Sequence, residues 1–208
     1  YFWIKKKLSG NEKKFYLILT CIGIFQAFMG WFMVQSGLAE NPDVSHFRLS
    51  AHLTTAFIIY TFLVFSFWNN LDKKTAFDRS VTNQKIKSHS KRVTLSIIFL
   101  IITVSTGAFV SGTNAGWAYN NFPLMGDNFL PPIILEGQNL ALINIFNDIG
   151  FIQFFHRILA TSTLLIILYT VYKAVNDSNF IRLKKYFYFL GIFILCQYIL
   201  GVIILKLL

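Results

Sequence analysis

Residues 153–160 read Q-F-F-H-R-I-L-A, and the uncharged run from Ile158 to Tyr172 continues from them. A histidine and an arginine therefore stand at the mouth of a segment long enough to cross a bilayer, which takes about 20 apolar residues as a helix. Five such stretches occur: Phe15–Leu38, Leu49–Leu71, Val93–Thr113, Ile149–Tyr172 and Tyr186–Leu205. Lipid offers a backbone no hydrogen-bond partner except itself, so each stretch is expected to be a helix. The fold class that follows is all-α, a polytopic membrane helical bundle.

Composition agrees. Of 208 residues, 55% are hydrophobic, 17% aromatic and only 13% charged, which excludes an ordinary soluble domain. The net charge of +10 could suggest a nucleic-acid partner, but its placement argues against one. Lys5, Lys6, Lys7, Lys13 and Lys14 precede the first span. Lys73, Lys74, Arg79, Lys85, Lys87, Lys91 and Arg92 fill the second connection, and Lys173, Arg182, Lys184 and Lys185 crowd the fourth. The other two connections carry only Arg48 and, at the membrane edge, Arg157. Cations concentrate on the inner side of a membrane, so the N-terminus is expected inside and the C-terminus outside. The basic balance is topology.

Cys21 and Cys196 fall in apolar spans without metal-type spacing and read as small packing residues. The inner connection Asn69–Arg92 reads as a solvated basic linker in which His89 is inert. The outer segment Asn114–Asp148 has no Lys or Arg and holds A-G-W-A-Y-N-N-F-P-L-M-G-D (115–127) with Pro131 and Pro132. Its glycines, asparagines and prolines mark turns, and Trp117, Tyr119 and Phe122 suit the membrane interface. It either lies on the membrane or covers a pocket.

A weak repeat links the first and fifth spans. F-Q-A-F-M-G (25–30) and C-Q-Y-I-L-G (196–201) share Q-x-x-x-G, and both spans run from inside to outside, as a parallel repeat requires. Gly30 and Gly201 permit close helix approach, while Gln26 and Gln197 are placed to bond across an interface or to act as helix glue.

Two ionisable residues in the spans stand out, since such residues are expensive in lipid. His52 lies four residues after Arg48 in F-R-L-S-A-H-L (47–53), on one helix face with it. His156 adjoins Arg157. Both spans run from outside to inside, so both histidines are expected near the outer surface. Neutral imidazole ligates haem iron, and arginine pairs with propionates at the wet edge. The plain alternative is a histidine bonded to a neighbouring helix. His46 reads as interfacial. No phosphate-cradling loop, Ser–His–Asp set or carboxylate pair appears, so any chemistry is expected to come from a bound cofactor.

Q-A-F-M-G-W-F-M-V-Q-S-G-L (26–38), V-S-H-F-R-L-S-A-H-L (44–53), G-A-F-V-S-G-T-N-A-G-W-A-Y-N-N-F-P-L-M-G-D (107–127) and Q-F-F-H-R-I-L-A (153–160) together resemble the haem A synthase family, in its mitochondrial and alphaproteobacterial branch. The resemblance covers nearly all of residues 15–208. It implies the third to seventh helices of a two-fold pseudo-symmetric eight-helix protein, each half giving two histidines to one haem. His52 would be a ligand in the N-terminal, substrate-haem half, and His156 a ligand in the C-terminal half that holds haem b. Arg48 and Arg157 would bind propionates. The partner histidines and the family's outer-loop glutamate would lie beyond both ends, which are expected to be cut.

The implied activity is oxidation of a haem O methyl group to the formyl group of haem A, with haem b carrying electrons and water supplying the oxygen. Membrane lipid, haem O synthase and a second copy of the chain are the implied partners, in a bacterial or mitochondrial inner membrane; the electron acceptor stays open. Two alternatives also stay open. One is a bis-histidine b-type cytochrome that only transfers electrons; the other is a non-enzymatic membrane assembly protein whose histidines are helix glue. Gln26 and Gln197 lie 171 residues apart, and that shift places a histidine about fifteen residues before Tyr1 and another about fifteen beyond Leu208.

Overall fold

The computed structural model describes residues 5, 8–37, 45–72, 83–135 and 145–208. Lys6, Lys7, Lys73, Lys74, Arg79 and residues 136–144 of the outer segment lie outside them. Five long helices carry the chain: α1 (Gly10–Gly37), α2 (His46–Asp72), α3 (Asn83–Gly112), α4 (Ile149–Val175) and α5 (Lys184–Leu207). All five are long and apolar enough to cross a membrane. Most of their large apolar side chains point outward, as lipid rather than water requires. The protein is an integral membrane protein. By internal contacts it forms two compact units, residues 1–77 and 78–208.

In the first unit α1 and α2 make an antiparallel pair. A capping box starts α1: Glu12 accepts from the Ser9 backbone N–H at 2.8 Å, and Ser9 Oγ accepts from the Glu12 N–H at 3.3 Å. Near that end the Tyr16 hydroxyl meets Ser66 Oγ at 2.7 Å, and Phe15 packs edge-on to Phe62. Nearer the other end Gln26 Nε2 donates to the His52 carbonyl at 2.7 Å. Lipid tails are as apolar as leucine, so hydrophobicity does not hold two such helices together; packing and polar bonds must.

In the second unit α3 and α4 are zipped by a polar seam. Ser96 Oγ meets Thr170 Oγ1 at 3.1 Å, Thr103 Oγ1 meets Thr163 Oγ1 at 2.7 Å, and Thr106 Oγ1 meets His156 Nδ1 at 3.0 Å. On α4 the three partners, His156, Thr163 and Thr170, recur every seven residues and so share one face. Thr163 is almost fully buried there, 2% exposed. α5 docks on α4 where Gly191 lies against Val171 and the Tyr198 hydroxyl meets Thr161 Oγ1 at 2.8 Å. Asp148 caps α4 by accepting from the Phe151 N–H at 2.6 Å.

Two expectations are corrected. The inner connection is shorter than Asn69–Arg92, because α2 runs to Asp72 and α3 begins at Asn83. Apolarity marks only the part of a helix inside lipid, whereas helical bonding continues into the polar interface. His89 is accordingly no solvated linker residue: it is 9% exposed, Nε2 lies 3.1 Å from Asp177 Oδ2, and its ring stands edge-on to Phe180. Cys21 and Cys196 are free and exposed on their helices rather than packed.

The seam is testable by a double-mutant cycle on Thr103→Val and Thr163→Val. A coupling of about 0.6 kcal/mol is expected, the typical value for an interhelical bond in lipid. Reversible unfolding in mixed micelles measures it. Strictly additive single effects would mean that the hydroxyl contact contributes nothing.

Candidate functional site

Each unit places one of the two histidines against a glycine of the preceding helix. His52 lies six residues into α2 and faces Gly30 of α1. A Cβ on Gly30 would sit 3.2 Å from His52 Cε1 and 3.8 Å from Nε2. His156 lies seven residues into α4 and faces Gly107 of α3; a Cβ there would again sit 3.2 Å from Cε1 and 3.8 Å from Nε2. The two rings are held in the same way, each about 9–10 Å along its helix from the start. Both imidazoles occupy room that any side chain but hydrogen would contest.

The polar surroundings differ. Thr106 Oγ1 donates its single proton to the Thr103 carbonyl at 3.0 Å. It can then only accept at its 3.0 Å contact with His156 Nδ1. His156 is therefore the Nδ1–H tautomer, and Nε2 keeps its lone pair; it makes no hydrogen bond among the described residues. His52 Nδ1 is buried and has no partner among the described residues, although the backbone carbonyl of His52 accepts from Gln26. One turn before His52, the Arg48 guanidinium lies 4.8 Å over the Phe32 ring.

Arg157 points into the outer segment. Nη1 donates to the Asn121 and Leu124 carbonyls at 2.9 and 2.8 Å, and Nη2 to the Tyr119 carbonyl at 2.7 Å. Gln153, 2% exposed, donates to the same Tyr119 carbonyl at 3.0 Å. The described part of the segment is thus built structure. A 3-10 turn at Ala115–Trp117 follows Asn114, which takes the left-handed conformation at φ 54°, and a tight turn between Met125 and Asn128 uses Gly126 at φ 68°. Met125, Pro131 and Ile133 are buried beneath it, and Pro131 and Tyr119 lie against Gly150 of α4. Trp117 stays exposed, as an interfacial ring would. Arg157 Nε remains buried without a partner among the described residues.

The sequence profile of the cytochrome oxidase assembly protein family matches residues 1–207. The chain belongs to that family. A haem A synthase of Flavobacterium johnsoniae is 36% identical over 203 residues, covering 97% of this chain and 58% of the relative. Haem A synthases of Wolbachia from Brugia malayi and of Rickettsia felis are 35% and 37% identical, covering 100% and 98% of this chain and 58% of each relative. The chain thus spans a little over half the length of the curated relatives it matches. No solved structure matches it.

Within this chain the structure joins Gln26, Gly30 and His52 in one place, and His156 stands beside Arg157 in another. Gln197 and Gly201 join neither: Gln197 is exposed, and nothing lies within 4 Å of a Cβ built on Gly201. Thr106 and Gly107 escaped the sequence reading. Ser96 and Thr103 repeat on α3 the seven-residue spacing of His156, Thr163 and Thr170, but the next step falls on Val110, so that spacing singles out neither Thr106 nor Gly107. Arg157→Ala is expected to free the Asn121 and Leu124 carbonyls, leave that of Tyr119 to Gln153 alone, and speed proteolytic cleavage there several-fold. Limited proteolysis of the purified protein measures this; an unchanged rate would show that the segment is held by its own packing.

Proposed function

We propose that this chain is the central part of a haem A synthase, in which His52 and His156 are axial ligands to two haem irons. The observation that carries the reading is the pair of matched glycine–histidine contacts. Each leaves an imidazole wedged against a glycine, and at His156 the proton sits on Nδ1, so the free nitrogen is the one an iron needs. The residues fit the group. His156 would hold haem b, and His52 the haem O substrate. The buried Nε–H of Arg157, unpartnered among the described residues, would serve a propionate, and Arg48 would do the same beside His52.

Bound haem b supplies one-electron chemistry. The chain's own part is to fix the imidazoles, to supply cations for the propionates, and to close the outer end with residues 113–135, which limits water at the site. The substrate's methyl group becomes a formyl group whose oxygen comes from water, and the electrons pass to an acceptor outside this chain. Residues 1–92 belong to the substrate half and 93–208 to the haem b half. Gly201, with open space before it, suits a following helix that brings the next histidine. Haem O synthase and a second copy of the chain are the proposed partners.

The histidines are tested in the full-length protein by pyridine haemochrome analysis and turnover. His52→Ala is expected to abolish formation of haem A, and His156→Ala to lose haem b, whereas His89→Ala should weaken folding and leave the haem spectrum unchanged. Haem b without haem O or A in the unaltered protein would favour a cytochrome that only transfers electrons, and no haem at all a non-enzymatic assembly protein.

Orientation follows from charge. The outer segment faces away from the compartment that holds Lys91, Arg92 and Lys173, in a bacterial or mitochondrial inner membrane. Asn120→Cys should react with an impermeant thiol reagent from the outer side of intact vesicles, and Lys91→Cys only after the vesicles are opened. The reverse pattern would invert the topology.

A further inference from the structure

We infer that the residue preceding each cradle glycine, Thr106 before Gly107 and Met29 before Gly30, sets which histidine keeps its haem and which lets it go. The inference rests on the reading of His52 and His156 as iron ligands. The two glycines fix the register: their Cβ positions meet the two rings at the same 3.2 Å to Cε1 and 3.8 Å to Nε2. Thr106 and Met29 are therefore equivalent positions, and at these positions the two cradles differ in chemistry.

Thr106 is oriented by its own helix, because its proton is committed to the Thr103 carbonyl. What it offers His156 is a fixed lone pair at 3.0 Å from Nδ1. An acceptor on Nδ1–H locks the tautomer and the ring plane and makes Nε2 a stronger donor to iron. Its contact with His156 belongs to the seam, and Thr103 also reaches across to Thr163 at 2.7 Å, so the acceptor cannot drift without unzipping α3 from α4. Met29 has only a thioether, a weak acceptor. The buried His52 Nδ1 has no partner among the described residues. The ring is placed by Gly30, but its tautomer and its basicity are not enforced. One cradle suits a resident cofactor, the other a substrate that must enter and leave as product. Thr106 is on this view a positioning residue, acting on iron through His156.

The test uses the full-length protein carrying Thr106→Val, Thr106→Ser or Met29→Thr. Three readouts apply: haem b retained on purification, the rate of haem transfer to apomyoglobin, and the midpoint potential and low-spin signal of haem b. Valine matches threonine in shape, so Thr106→Val is expected to fold. It should weaken haem b binding about tenfold to a hundredfold, the usual effect of losing such a partner, and should raise the midpoint potential, because a less electron-rich imidazole stabilises ferric iron less. Thr106→Ser should restore both. Met29→Thr should slow release of the haem at His52 and leave haem b unchanged. Wild-type potential and retention in Thr106→Val would overturn the inference for His156, and unchanged release in Met29→Thr would overturn it for His52. Absence of haem from the unaltered protein would instead overturn the ligand reading beneath it.

Discussion

A backbone in lipid has nothing to bond with but itself, and from that constraint the rest of this structure follows. Every crossing segment closes its hydrogen bonds within one helix, so the helices form whatever their neighbours do. The same lipid removes the usual force for bringing helices together. Cohesion therefore falls to close backbone approach and to the few polar side chains a span can carry. Gly30, Gly107 and Gly191 provide the first, and the Ser96–Thr170, Thr103–Thr163 and Gln26–His52 contacts provide the second.

The devices that hold the helices also hold the histidines. Thr163 and Thr170 serve α3 and α4 as glue, and His156 takes the next place on the same face, bonded by the same kind of hydroxyl. Glue and ligand are thus not rival readings of His156, for one ring nitrogen can do each. Nδ1 is spent on the seam, and Nε2 is left for the proposed iron. His52 is held differently, by its backbone carbonyl and by the room beside Gly30.

Arg157 likewise has two faces. Its terminal nitrogens gather the carbonyls of residues 119, 121 and 124, of which only that of Tyr119 has a second donor, Gln153, where the segment folds down over α4. Among the described residues nothing bonds the buried Nε–H, which is costly for a charged group. A propionate oxygen is the proposed occupant.

Much of this was legible in the chain alone. Five spans and the two histidines within them follow from hydropathy, because the bilayer acts on each segment separately and needs no tertiary partner. The four quoted blocks carried the family resemblance as well. The sequence could not give what depends on two helices meeting. That His89 is buried against Asp177 and Phe180, that Arg157 spends itself on loop carbonyls, and that Thr106 fixes the tautomer of His156 all require residues 33 to 91 positions apart to touch. Side-chain pairing across helices is set by their rotation and register. A glycine and a threonine reveal those only when the facing helix is in place.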